Sequence, residues 1–209
     1  MDRTVVCNKS SSVQIVCIGY GDNVSYSSWI HSYNDQFIRN ISGEQQNNRS
    51  TLAINNCKFE DLGTYTCTAW YEVDNETYWS NVKTYLTVYG PPIAGRIKTT
   101  MKPTVLSIAF YSSIQPTEIQ WYENKMLINN VQGFYLQTFE QNFTVHMHGI
   151  PVIVQGFITN LTLDDTKSGE YSVLLNNGYG EYNHKFQLSE GIYYTHYLLC
   201  FNIKITKTG

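Results

Sequence analysis

The seven residues "DLGTYTC", Asp61 to Cys67, hold an acid, a glycine, a tyrosine and a cysteine at fixed offsets. A helix is disfavoured there, because Gly63 and the β-branched Thr64 and Thr66 sit where a helix wants straight-chain residues. The stretch reads instead as a tight corner leading into a buried strand, and its surroundings agree. "SVQIVCIGY" alternates with Val13, Ile15 and Cys17 on one face, and "STLAI" does so with Leu52 and Ile54. "TYTCTAWY" sets Tyr65, Cys67, Ala69 and Tyr71 together. Polar turns separate these runs about every eight to twelve residues, and no stretch keeps a helical apolar period. The chain is expected to be all-β, a sandwich or barrel of short strands.

Composition bounds the function classes. A length of 209 residues gives a prior of one or two domains, each able to bury a core. The net charge of −3 comes with no basic run, so a nucleic-acid phosphate track is disfavoured. Cys7, Cys17, Cys57 and Cys67 lie in the first third, with Cys200 alone near the end. An even group of four points to two disulfides and an oxidising compartment, with three pairings open. Zinc is the rival reading, but no C-x-x-C knuckle is present. Asn-x-Ser/Thr triplets occur at Asn8, Asn23, Asn40, Asn48, Asn75, Asn142 and Asn160, an excess over the roughly three that random placement would give. No secretory apolar run follows Met1, so either a leader has been removed or the chain is a fragment or an incomplete gene reading.

Trp29 lies twelve residues after Cys17, and Cys67, with Tyr65 two positions before it, completes a Cys, Trp, Asp-x-Gly-x-Tyr-x-Cys set. This set resembles the immunoglobulin superfamily, whose core is an inter-sheet disulfide packed on a tryptophan, with a tyrosine corner at the entry to strand F. The resemblance implies that Cys17 bonds Cys67 against Trp29, that Gly63 permits the bend, and that Tyr65 sends its hydroxyl back to upstream backbone. Under the same fold Cys7 precedes the A–B turn and Cys57 precedes the E–F corner. A second bridge between them is then spatially reasonable. Arg39 in "RNISG" resembles the arginine that pairs with the corner aspartate in variable-type domains, here Asp61.

The second half repeats the grammar with pieces missing. "TVYGPP" reads as a last strand and a Pro-stiffened junction. "TVLSIAFYSSIQPTEIQWYENKMLIN" gives strands B and C around Trp121, and "LTLDDTKSGEYSVLL" carries Asp165, Gly169 and Tyr171 at a corner. This half resembles an adhesion-type or C2/I-set domain without its cysteines. Val173 occupies the strand-F site, and Ile108 or Phe110 the strand-B site. Apolar packing replaces the bridge, since buried side chains contribute roughly 1.5–3 kcal/mol each. The expected architecture is two tandem immunoglobulin-like β-sandwiches, residues 1–90 and 91–190, and a tail of unknown structure, 191–209. The tail's apolar core is about ten residues, short of the roughly twenty that cross a bilayer.

No catalytic constellation stands out. "HMH" puts His146 and His148 at a spacing that suits a metal, but no third ligand is near, and two exposed strand histidines are expected. "GYGEYNH" lacks the strand-to-helix context of a phosphate loop and reads as a hairpin. The serines lack a histidine and acid at a motif's spacing. No enzyme activity, metal or cofactor is expected.

Surface recognition remains. If Cys67, Ala69 and Tyr71 face in, then Thr66, Thr68 and Trp70 face out, and Leu86 and Val88 facing in turn Trp79, Asn81, Lys83 and Tyr85 outward. A hairpin centred on Asp74-Asn75 sets Trp70 opposite Trp79. Ile30 joins that face from strand C, so Ile30, Trp70, Trp79 and Tyr85 are the expected partner-binding residues. The function expected is an extracellular protein-recognition or adhesion module, binding a protein partner or itself, and touching a membrane only through a segment outside this chain. A soluble secreted immune effector or decoy is the alternative. An intracellular structural array is the third reading, and it predicts free thiols and no glycans.

Overall fold

The computed structural model describes residues 3–20, 23–115, 117–128, 133–164 and 168–189. Asp165 of the second corner and the tail with Cys200 lie outside the described residues. The first sandwich is built from β1 (Arg3–Asn8), β2 (Val13–Ile18), β3 (Ser25–Tyr26), β4 (Trp29–Tyr33), β5 (Gln36–Ile41), β6 (Glu44–Gln45), β7 (Arg49–Ile54), β8 (Gly63–Val73) and β9 (Glu76–Tyr89). One sheet runs β1-β9-β8-β4-β5 with β3 also on β8, and the facing sheet runs β2-β7-β6. β1 lies parallel to β9, and the other pairings are antiparallel.

The core of this sandwich is the one the corner motif implies. Disulfides join Cys17 to Cys67 and Cys7 to Cys57. Trp29, Tyr65 and both disulfides are buried in one cluster with Leu52 and Leu86. The Trp29 indole donates to Ser50 Oγ at 2.9 Å, so its polar edge is satisfied inside the core. Tyr65 donates its hydroxyl to the carbonyl of Asp61 at 2.9 Å, closing the corner. A side chain at Gly63, whose φ is +137°, would strike the carbonyl oxygen of Ser32, so the corner admits glycine alone.

The second sandwich uses β10 (Ile93–Met101), β11 (Thr104–Tyr111), β12 (Glu118–Glu123), β13 (Met126–Leu127), β14 (Phe134–Met147), β15 (Ile150–Leu163), β16 (Gly169–Asn176) and β17 (Glu181–Leu188). Its sheets run β10-β11-β15-β14 and β13-β12-β16-β17. Trp121, Tyr171 and Val173 are all buried in its core. The indole of Trp121 donates to Thr159 Oγ1 at 3.1 Å, and Thr159 lies opposite Ile108. In the first sandwich the indole acceptor Ser50 lies opposite Cys17. Ile108 therefore stands where Cys17 stands, and the choice between Ile108 and Phe110 left open by the sequence is resolved. Phe110 is buried as well, stacked on Phe157. Tyr171 donates to the Glu123 carboxylate at 3.0 Å.

The hairpin of β14 and β15 has fourteen residues in each strand, and its two halves use opposite faces. Near the open end Phe134 pairs with Leu163 and Leu136 with Leu161, on the side of the second core. Toward the turn Phe143 pairs with Val154 and Val145 with Val152. Nine positions separate Phe134 from Phe143, an odd offset, so these residues point to the other side. There they pack with Met147, Tyr33, Ile38 and Leu62, which seals the hairpin onto the first sandwich. Phe143 lies at the change of face, over Gly156 and Gly95, where any side chain would collide with its ring.

His146 is an exposed strand residue as expected, but His148 is not. His148 sits in the two-residue turn at φ 48°, off the strand face, and its Nε2 is 2.9 Å from Asp61 Oδ1 of the first sandwich. The alternation carried no sign of this contact because the partner is 87 residues away. The five sequon asparagines Asn8, Asn23, Asn40, Asn75 and Asn142 are exposed, whereas Asn48 and Asn160 are half-buried.

Candidate functional site

β8 and β9 pair without a register shift from Gly63–Leu86 to Val73–Glu76, around a turn with Asp74 and Asn75 at φ 52° and 64°. That turn geometry suits Asp and Asn, and it continues the strand twist. Trp70 faces Trp79 with ring centroids 5.0 Å apart, Trp79 being 64% exposed. Beside them Thr68 donates to Asn81 Oδ1 at 2.7 Å.

The four residues named from the sequence share this outer face but not one patch. Ile30 lies opposite Thr66, four residues along β8 from Trp70, or about 13 Å at the rise of a strand. Tyr85 lies opposite Thr64, farther still. Tyr85 belongs to the seam between the sandwiches, where burial raises its phenol pKa and where it acts on the phenol of Tyr111. The tryptophan pair is thus the apolar feature at the outer end of the sheet, and Ile30 is a separate exposed residue.

Tyr71 shares the core-facing side as expected, yet it lies past the end of the core. It stacks on Tyr78 at 5.3 Å, so the outer end of the β8–β9 hairpin carries aromatic pairs on both faces. The signal for this was strand length: β8 runs eleven residues, whereas β2 and β7 of the facing sheet run six.

At the other end of the sheet a polar cluster lies under the hairpin turn. Asp61 is 5% exposed and accepts from Arg39 Nη2 and His148 Nε2, both at 2.9 Å, and from the Lys58 amide at 2.9 Å. His31 is fully buried, stacked flat on Tyr65 at 4.5 Å, and its Nε2–H donates to the Leu62 carbonyl at 3.0 Å. Its Nδ1 is buried without a partner, so a second proton there would have no acceptor. Burial lowers the His31 pKa to about 4 against the countering bond to Leu62, with Arg39 and His148 also disfavouring the cation. The unfolded chain takes up a proton near pH 6.5 and the folded chain only near 4. Stability is therefore expected to be full above pH 6.5 and to fall between 6.5 and 4 by up to about 1.4 kcal/mol per pH unit. Urea unfolding at a series of pH values, with His31→Phe as the reference, checks this; equal pH slopes in the two proteins would refute it.

Among the described residues no three His, Cys, Asp or Glu side chains gather as a metal site, and no helix is long and apolar enough to cross a membrane.

Residues 3–80 match the immunoglobulin domain family. The first sandwich is an immunoglobulin domain. The second shares its fold, so the chain carries immunoglobulin-like sandwiches in tandem. Solved structures of titin are similar to the chain. Titin A168169 is 15% identical with a TM-score of 0.50, over 89% of this chain and 93% of that one. The tandem immunoglobulin domains A164–A165 of titin are 16% identical with a TM-score of 0.49, over 89% and 92%. A three-domain titin structure, I67–I69, is 16% identical with a TM-score of 0.46, and the chain spans 62% of its length. At these identities the likeness is one of fold. No curated protein sequence matches the chain. Immunoglobulin domains are, in general, modules of protein interaction.

Proposed function

We propose that the chain is an extracellular protein-recognition module, with residues 1–90 and 91–190 as its two domains, and that it binds a protein partner through the outer sheet face of the first domain. The tryptophan pair carries this reading. Trp70 and Trp79 pack against each other in a tilted contact at the solvent side of a regular sheet, where the core does not need them. Tryptophan is enriched among residues that dominate binding energy, and large exposed aromatic surface is uncommon without a partner. The two disulfides support an oxidising compartment, and five exposed sequon asparagines are compatible with glycans there. Recognition by such a face is shape and burial, with no bond chemistry.

The test is a screen of the multivalent chain against an array of extracellular domains, repeated with Trp70→Ala. A ligand of the wild type is expected to lose at least about tenfold in affinity, as hot-spot truncations do, while the melting temperature holds. If Trp70→Ala, Trp79→Ala and Ile30→Ala all bind as the wild type does, the face is not the binding site.

A further inference from the structure

The geometry points to a self-pairing edge: residues 77–83 of β9 form an antiparallel ladder with the same residues of a second copy of this chain. β9 is bonded to β8 along its whole length, but β1 covers its other side only from Thr84 onward. Among the described residues nothing pairs with that side of β9 before Thr84, and Glu76 to Lys83 are all exposed. The two-residue turn makes Val73 and Glu76 a hydrogen-bonded pair, so alternation turns the amides of Thr77, Trp79, Asn81 and Lys83 away from β8 and toward the open edge. Natural edges are usually blunted by proline, a bulge or mid-strand charge. This one has no register shift and is uncharged from Thr77 to Val82.

Three features select a second copy as the occupant. A two-fold axis through Ser80 and perpendicular to the sheet sets Thr77 opposite Lys83 and Trp79 opposite Asn81, so every outward amide of the stretch finds a partner. The same register sets Tyr78 opposite Val82, and these side chains, 46% and 42% exposed in one copy, cover each other. Charge runs in opposite senses along the edge. Glu72, Asp74 and Glu76 crowd the hairpin end, while Lys83 and the exposed Arg3, beside Thr84, mark the other. An antiparallel copy brings acidic end to basic end twice, and a parallel copy brings like to like. The ladder stops where the partner's β1 begins, and the sequon residue Asn75 lies beyond it.

This pairing uses the edge of the sheet and stands apart from binding by its face. Sedimentation of the wild-type chain over a concentration series, at low and high salt, is expected to show one chain passing to two, with dimerisation weakened by salt. Asn81→Pro removes an outward amide that β8 does not use, so the fold tolerates it at an edge. It is expected to weaken dimerisation at least about tenfold, and to lower the melting temperature no more than Asn81→Ala, which loses the same exposed bond from Thr68. Lys83→Glu is expected to weaken it too, and Glu76→Lys added to Lys83→Glu to restore it. Trp70→Ala, on β8, is expected to leave the dimer in place, which separates this result from failure of the face. A wild-type chain that stays single up to about 100 μM overturns the proposal. An Asn81→Pro chain that dimerises like the wild type, or a charge swap without rescue, overturns it as well.

Discussion

Replacing Cys17 and Cys67 together by alanine is expected to destabilise the first domain by about 2–5 kcal/mol, and by more than the same change at Cys7 and Cys57. Both bridges close fifty residues, so the chain-entropy model gives each about 4 kcal/mol and predicts no difference between them. Their surroundings differ. Both pairs are buried in one cluster with Trp29, but Cys67 lies inside β8 and Cys17 lies opposite Ser50, the acceptor of the Trp29 indole, whereas Cys57 follows the end of β7 and Cys7 touches Ser11 of the adjoining loop. Removing the central pair leaves a void between two sheets, and the indole of Trp29 loses its packing on one side. Denaturant unfolding followed by tryptophan fluorescence gives both numbers. Equal losses in the two double variants would mean that packing on the indole adds nothing.

Met147→Asp is the second large effect. Met147 is fully buried in the seam, so an aspartate there must either carry charge out of water or push the hairpin off the first domain. A loss of about 3 kcal/mol or more is expected, with two melting transitions in place of a coupled one. A larger radius of gyration in small-angle scattering should accompany it, while Met147→Leu keeps volume and should change stability by less than about 1.5 kcal/mol. An unchanged radius of gyration and a single transition for Met147→Asp would show that the seam does not hold the domains together.

The first domain was legible because its signals are local or fall on one alternation. The corner glycine, Tyr65, Trp29 and the two cysteine pairs each sit at an offset that a sandwich dictates, and all are where that pattern puts them. Ile108 was ambiguous because Ile108 and Phe110 share a face, and periodicity cannot rank two inward residues. The indole bond to Thr159 ranks them, and that is a tertiary fact. The seam was not legible for a related reason. "NFTVHM" alternates cleanly, but alternation does not say which body lies against which side, and the change of face near Phe143 only has meaning once two cores are in place. For the four candidate residues the shared sheet face was legible and their separation was not. Alternation gives the face of Ile30, Trp70, Trp79 and Tyr85, but the strand pairing that sets their separation is long-range.

The parallel run of β1 against β9 also sets how the first domain would meet tension. Its two chain ends leave from opposite ends of the same pair of strands, so traction on them loads the ladder from Arg3–Thr84 to Asn8–Tyr89 in shear, all rungs at once. Should those rungs part, the force crosses directly from Cys7 to Cys57 through sulfur, and the residues between them add nothing to the extension. Past that bridge the first domain lengthens only through the residues that follow Cys57.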